Sequence, residues 1–376
     1  MVKCLFSLYR PQRQRTRQIG LRHAAARRCI SYMAMNAYRR RKNVLGANLK
    51  TLLLIAGALS LIVLIVRGCL FAKTGSKTDD GGAPLSGEPL YVYDAKLKKT
   101  VQMSLEEYLV HVVAGEMPAS FEEEALKAQA VAARTYTVRR MASLNGTPCG
   151  RGGADVCTDS TCCQAYKTDA QLRENWGSAY TENLSRVRAA VAQTSGEILT
   201  YNDIPIEALF HSNSGGMTED AQNVFASAEP YLVSVESPGD EEAAHYTDTV
   251  RLTRAAVAEA LNDLYQNANV TAKKLEKQLK VLSRFESGRV NQIEVGGATL
   301  TGRQFRQALS LDSTNFSLTY SEKYVTVTTV GYGHGVGMSQ YGANAMAKDG
   351  SDYKSILTHY YTGVKIQSID SVFGGK

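Results

Sequence analysis

The sequence predicts an α+β body, with mixed helices and short antiparallel strands in two lobes, preceded by one N-terminal transmembrane helix. Three observations carry this. An apolar run near the N-terminus separates a purely basic tail from a mildly acidic remainder. Helix and strand signals interleave beyond that run without the regular βαβ rhythm of a parallel sheet. Cap residues mark the helices, and period-two alternation marks the strands.

The chain has 376 residues, enough for about two compact units. Hydrophobic residues make up 44% and charged residues 21%, which rules out disorder throughout. The net charge of +7 divides unevenly: residues 1–50 hold 13 Lys or Arg and no acid, and the first acid is Asp79. Residues 51–376 therefore carry 30 basic and 36 acidic side chains, a net of −6. A body of that sign argues against nucleic-acid binding, which needs clustered positive charge on the domain itself.

Thr51 to Val66 is weakly polar or apolar throughout and fenced by Lys50 and Arg67. A bilayer needs about 20 such residues. Snorkelling of the fencing cations and the apolar Gly68–Ala72 extend the span to 51–72. A buried core helix would show a polar face, and a cleaved signal peptide would have a shorter basic region. Because the basic excess precedes the span, residues 1–50 form a cytoplasmic tail and the body lies outside, anchored by a single pass in the cell membrane. Arg39-Arg40-Arg41-Lys42 alone suffices as a topology signal, and Met33 and Met35 stand just before it. Residues 1–32 are then either a misassigned start or a disordered basic tail on anionic lipid.

Residues 73–89, rich in Gly, Ser and charge, read as a flexible linker, and the body spans 90–370. Tyr91 to Val101 alternates around a charged turn, as a hairpin does. Ser104-Leu105-Glu106-Glu107 opens a helix to about Gly115, and Ser120-Phe121-Glu122-Glu123 opens a longer, Ala-rich helix to about Leu144. A cysteine-rich loop, a helix near Thr181–Gln193 and strands around Glu197–His211 follow. Residues 252–282 read as mostly helical with Thr253 as a cap, and 247–310 as an inserted lobe. Thr299–Leu311 gives a strand end and a short helix. The chain closes with a strand at Tyr324–Val330, a Gly-rich loop and two helical pieces.

Chemistry concentrates at Glu116. This acid stands at a helix end, two residues before Pro118 in Gly115-Glu116-Met117-Pro118, where the helix dipole favours the protonated form. A partly desolvated Glu with a raised pKa can donate a proton to a leaving-group oxygen. Most such residues simply face water. The next helix, however, interleaves Lys127, Gln129, Arg134 and Tyr136 among its alanines, which core packing alone does not explain.

The run EEYLVHVVAGEMPASFEEEALKAQAVAARTYTVRR resembles the signature of the stage II sporulation protein D family, with its LytB-like amidase-enhancer relatives. Ala154–Asp159, Cys163-Gln164-Ala165-Tyr166, Phe210-His211-Ser212-Asn213-Ser214-Gly215-Gly216 and Gly331–Ala343 agree in order and spacing over nearly all of 90–370. The resemblance implies a lytic transglycosylase that cleaves the bond between N-acetylmuramic acid and N-acetylglucosamine in peptidoglycan strands stripped of stem peptides, with Glu116 as the catalytic acid. It also implies a role in engulfment during sporulation, with a peptidoglycan amidase and a membrane protein of that machinery as partners. Substrate contacts fall on Gln129, Arg134, Tyr136, Ser212, Gly215, Gly216, His334, Gln340 and Tyr341. For the Gly-rich segments the structural alternative is a set of tight turns, with His334 a satisfied buried imidazole. A non-catalytic wall-binding activator of an amidase is the rival function. A zinc hydrolase is poorer, since the six His show no HxxxH pairing.

Of seven Cys, four lie in one window: Cys149, Cys157, Cys162 and Cys163. Outside a membrane, disulfides are the default. The resemblance instead implies a structural zinc on Cys157 and Cys163, with Arg151 standing where the family has a His. Cys149 is then the substitute ligand and Cys162 a further one. Adjacent cysteines seldom both reach one tetrahedral ion, which leaves solvent as an alternative fourth ligand.

Overall fold

The computed structural model describes residues 89–225 and 227–374. The tail, the apolar run at 51–72 and the linker up to residue 88 lie outside them. Among the described residues, no helix is long and apolar enough to cross a membrane.

The body is mixed helix and strand with short sheets. Leu90–Asp94 pairs antiparallel with Lys99–Met103 in the expected hairpin. Val156–Cys157 adds on the other edge in parallel, so Cys157 lies against Tyr93. Helix Leu105–Glu116 starts where Ser104 Oγ accepts the Glu107 N–H at 3.3 Å.

The Ala-rich helix runs Glu123–Val138, shorter than expected at both ends. At its start Pro118 and Phe121 close a turn, with the Phe121 N–H on the Pro118 carbonyl at 3.0 Å. Ser120 is thereby left outside the helix, and Glu122 becomes the cap residue without a side-chain bond. At its end the Arg140 and Met141 N–H groups bond the Thr137 and Val138 carbonyls, and the chain tightens into a 3-10 turn at Ala142–Leu144. Every residue from Ala128 to Val138 is buried. Small side chains let four helices (Leu105–Glu116, Tyr180–Gln193, Gln340–Lys348 and Tyr353–Tyr360) and the strand Glu197–Tyr201 close around it. This helix is the axis of the first hydrophobic cluster.

A second cluster gathers Val257, Leu261, Ile293, Phe305, Phe316 and Val327 among others. Only part of 252–282 is helical. Thr253 does cap Arg254–Leu264, its hydroxyl accepting the Ala256 N–H at 3.2 Å. Leu279–Arg284, however, is a strand paired with Val290–Val295, and Thr247–Thr253 pairs with Tyr324–Val330. The helical signal of Lys and Glu at 273–277 is realised only as the short helix Leu275–Gln278. Within the strand, Leu279, Val281 and Ser283 alternate with the exposed Lys280, Leu282 and Arg284, the two-residue period that pairing rewards.

Candidate active site

Glu116 is the last residue of its helix, which ends as the Met117 N–H bonds the Val113 carbonyl at 3.0 Å. The residue is half-buried, and its carboxyl turns inward. Oε1 accepts the Ala165 N–H at 2.5 Å. Burial pushes the carboxyl up to about 7, against the opposing pull of the Ala165 N–H and of a hydrogen bond from the Gln340 amide. Burial thereby favours the protonated acid well above the pH at which an ordinary carboxyl loses its proton.

The chain from Cys163 to Lys167 is laid along the Glu116 helix to deliver that N–H. Lys167 N–H donates to the His111 carbonyl at 3.2 Å, and His111 Nδ1 donates to the Lys167 carbonyl at 2.7 Å. Tyr166 stacks on Tyr108 with ring centroids 5.8 Å apart. Gly115 permits the approach: a Cβ there would sit 3.1 Å from the Ala165 carbonyl oxygen. Gln164, buried, anchors the same stretch through Nε2 to the Ala133 carbonyl at 3.3 Å.

Gln340 opens the helix Gln340–Lys348 and joins Glu116 to the Ala-rich helix, its Nε2 donating to Gln129 Oε1 at 3.2 Å. Glu116, Gln129 and Gln340, expected together, are thus brought together. Gln129 Nε2, Gln164 Oε1 and the Tyr108 hydroxyl are buried around them without a partner among the described residues. Such groups call for a bound hydroxyl or water.

Ser212, Gly215 and Gly216 lie on a loop zipped to the Gly-rich segment. Asn213 and Tyr332 exchange backbone hydrogen bonds at 3.0 and 2.8 Å, and the Tyr341 N–H donates to the Ser212 carbonyl at 3.1 Å. Gly215 and Gly216 take φ of +84° and +100°, open to glycine and strained for other residues. Tyr341 packs edge-on against Phe121 at 5.0 Å. His334 accepts the Val336 N–H on Nδ1 at 3.1 Å and lies 5.4 Å, ring to ring, from His211.

A residue missed in the sequence holds both segments. Asp240 is fully buried; its Oδ2 accepts the Ser214 N–H at 2.9 Å, the Ser214 hydroxyl and the Gly216 N–H at 3.2 Å. Its Oδ1 accepts the hydroxyl of Ser339, the cap of the Gln340 helix, at 2.6 Å.

Two expected substrate contacts are placed otherwise. Arg134 is fully buried and all five of its N–H donors are engaged. Nε and one terminal nitrogen grip the Glu106 carboxylate at 2.9 and 2.8 Å. The remaining donors reach the Val191 and Glu197 carbonyls and Thr194 Oγ1. It is a tie between helices, with nothing left to offer a sugar. Tyr136 is also buried, its hydroxyl on the Cys162 carbonyl at 3.4 Å and the Arg140 guanidinium 3.4 Å above its ring. It backs the cysteine loop.

The sulfurs of Cys149, Cys157, Cys162 and Cys163 all lie within 4.8 Å of one another, and none is in a disulfide. Both members of the adjacent pair reach the cluster. The Cys162 and Cys163 N–H groups share the Asp159 carbonyl at 2.9 Å each, which coils the chain so that both sulfurs fall on one side. Asp159 is itself fixed by Thr161 and by Arg151 at 2.7 Å. Zinc–thiolate bonds of about 2.3 Å put the edges of a sulfur tetrahedron near 3.8 Å, so the four residues fit a zinc ion after small shifts.

An α+β domain with a buried helix-end acid, two zipped Gly-rich segments and a four-thiol loop is the class these elements define. The family described as "SpoIID: Stage II sporulation protein" matches residues 93–201, the stretch that includes Glu116 and all four cysteines. The chain is 40% identical over 293 residues to "Stage II sporulation protein D" of Bacillus subtilis (strain 168), covering 77% of this chain and 83% of that one. It is also 40% identical over 280 residues to the protein of that name from Bacillus amyloliquefaciens, covering 74% and 79%. An "Amidase enhancer" of Bacillus subtilis (strain 168) is 30% identical over 307 residues, 68% of this chain and 40% of that one. The chain belongs to the stage II sporulation protein D family.

Proposed function

We propose that the chain is a lytic transglycosylase of the sporulation cell wall, acting on stem-peptide-free glycan and using Glu116 as its single acid and base. The observation that carries this is the Glu116 carboxyl, pushed up to about 7 by burial while Oε1 is fixed by the Ala165 N–H. That leaves Oε2 to carry the proton. The acid protonates the glycosidic oxygen as its bond to C1 of the muramic acid breaks. The resulting carboxylate then takes the proton of the same sugar's C6 hydroxyl as O6 closes on C1. The anhydro ring forms, no water is consumed, and the carboxyl is regenerated, so no second carboxylate is needed. A pKa near the operating pH suits a group that must give and then take a proton.

In this reading Gln340 and Gln129 orient the carboxyl, and Ser212, Gly215, Gly216, His334 and Tyr341 line the approach. Cys149, Cys157, Cys162 and Cys163 hold a structural zinc, which supplies no chemistry and staples the loop that presents Ala165. The chain would be anchored through 51–72, with residues 90–370 outside and 247–310 as an added lobe. An amidase that strips stem peptides, and a membrane protein of the engulfment machinery, would be its partners.

The relative named "Amidase enhancer" favours a second reading, a wall-binding module that activates an amidase. Incubating stripped glycan strands with the protein separates the two. Anhydro-muramic ends identify an enzyme; strands that stay bound and uncut identify the module and overturn the first reading.

A further inference from the structure

The turn between strands Leu279–Arg284 and Val290–Val295 buries two polar side chains, Ser287 and Arg289, although hairpin tips ordinarily lie on the surface. The Phe285 N–H donates to the Arg289 carbonyl at 2.9 Å and the Gly288 N–H to the Phe285 carbonyl at 3.0 Å, which closes the tip. Arg284 braces it from its own side, donating to the Gly288 and Phe316 carbonyls at 2.7 and 2.8 Å. Both strands pack in the second hydrophobic cluster, through Leu279, Val290 and Ile293. The tip itself reaches out of that cluster to the two Gly-rich segments.

Arg289 is 1% exposed. Its two terminal nitrogens donate to the Met217 carbonyl at 3.0 Å and the Ser214 carbonyl at 2.6 Å, on either side of Gly215-Gly216. The same guanidinium lies against the other segment at Gly335, whose φ is +83° and where a Cβ would stand 2.6 Å from Nε. Only glycine admits it at that point. The Glu219 N–H holds the Gly335 carbonyl at 2.8 Å, and the Ser287 hydroxyl donates to the Glu219 carboxylate at 2.5 Å. One turn thus grips both segments. Burial lowers the Arg289 pKa to about 10 against the pull of Glu219 and Asp240, so the cation is kept at neutral pH. Arg134 engages all five of its donors as a tie between helices, whereas Arg289 leaves Nε without a partner among the described residues. Its position is set by the two segments it touches and not by saturation of its own donors.

We propose that Arg289 is a positioning residue for glycan binding, fixing the loop of Ser212, Gly215 and Gly216 against the segment of His334 so that both meet the substrate together. The inference rests on the proposed function and deepens it, since the second cluster then supplies part of the frame of the site. Arg289 is sealed from the glycan, and it touches neither Glu116 nor the Ala165 and Gln340 groups that hold the acid. Its removal should therefore weaken binding and leave proton transfer intact. A rise in KM at unchanged kcat is the signature of that loss. Destabilisation alone acts differently: it removes active molecules, lowering apparent kcat at unchanged KM.

The test measures anhydro-end formation from stripped glycan strands by the full chain, over substrate concentration and pH. Arg289→Met, which keeps much of the volume and has nothing to donate, should raise KM at least fivefold. Its kcat per folded molecule, and the decline of activity above about pH 7, should stay those of wild type. Arg289→Lys, which keeps the charge and one carbonyl bond, should recover part of the KM. Leu261→Ala, in the core of the second cluster and outside the hairpin, controls for destabilisation and should leave KM unchanged. A KM raised less than fivefold in Arg289→Met, a loss confined to kcat, or an equal rise in Leu261→Ala overturns the role. Where melting shows Arg289→Met unfolded, Ser287→Ala, which frees the tip from Glu219, should raise KM at least twofold, and a smaller change overturns the role. A wild-type chain that binds stripped strands and makes no anhydro ends refutes the proposed function alone. The dissociation constant of those strands then decides, a fivefold loss in Arg289→Met upholding the role and a smaller one overturning it. No anhydro ends and no binding by wild type overturn both.

Discussion

Replacing Glu116 by Gln should make the protein inactive and, above neutral pH, more stable. The wild-type carboxyl is held at about 7 against an ordinary 4.5. The folded state therefore keeps a proton that the unfolded chain releases, and this contribution is complete below about 4.5 and lost as pH rises through about 7. A difference of some 2.5 units corresponds to about 3 kcal/mol, an upper bound because the residue keeps some contact with solvent. Gln retains the volume and can still accept the Ala165 N–H, but it has no charge to bury. The variant should thus gain up to about 3 kcal/mol on wild type between pH 4.5 and pH 8.5, read from urea melts at the two pH values. Anhydro-end formation should fall by roughly 10²–10⁴-fold, and wild-type activity should itself decline above about pH 7 as the acid form is depleted. A stability difference that does not change with pH would mean that Glu116 titrates as an ordinary carboxyl. Activity within tenfold of wild type would assign the acid elsewhere.

Arg134→Ala should cost about 3–5 kcal/mol in a urea melt, because it strips the part-buried Glu106 carboxylate of its cation and takes a donor from the Val191 and Glu197 carbonyls. Conservative surface replacement of Glu107, whose partner Arg188 is exposed, should cost under about 1 kcal/mol in the same assay. Asp240→Ala should lower stability by a few kcal/mol and abolish anhydro-end formation together, since it releases Ser214, Gly216 and the Ser339 cap at once. Asp240→Asn should keep the fold better than Ala and still lose activity, the remaining amide nitrogen being unable to accept. For the cysteine loop, the purified chain should hold one zinc by elemental analysis, and chelation should lower its melting temperature; Cys157→Ser should lose the metal.

The parts of the site that were legible in the sequence are those fixed by local chemistry. Ser104 as a cap, Pro118 as a stop and Glu116 between them are set within fifteen residues, so a helix-end acid follows without tertiary information. Arg134 fails for the opposite reason. A cation among alanines reads as a polar face, yet its partner Glu106 is 28 residues away and Glu197 is 63 away, pairings that no periodicity encodes. The same holds for the adjacent cysteines, whose sulfurs share one side only because two N–H groups coil onto the Asp159 carbonyl.

Asp240 shows how little composition says where the deciding contact is a close approach. It opens the acidic run Asp240-Glu241-Glu242, which reads as a solvated turn, and Glu241 and Glu242 are indeed exposed. Asp240 alone is drawn fully inside. The difference lies one residue earlier. Gly239 has a φ of +79°, and a Cβ there would stand 2.1 Å from the Ala345 Cβ. Only a residue without a side chain lets the chain rest on the helix Gln340–Lys348 at that point, and resting there puts the next carboxylate beneath Ser339. The cue in the sequence was therefore Pro238-Gly239 and not the acids. Gly239→Ala should in consequence impair the site as Asp240→Ala does, through displacement of an intact carboxylate, and the two substitutions together should cost little more than either alone. Additive losses of stability in that double variant would refute the link between the close approach at Gly239 and the position of Asp240.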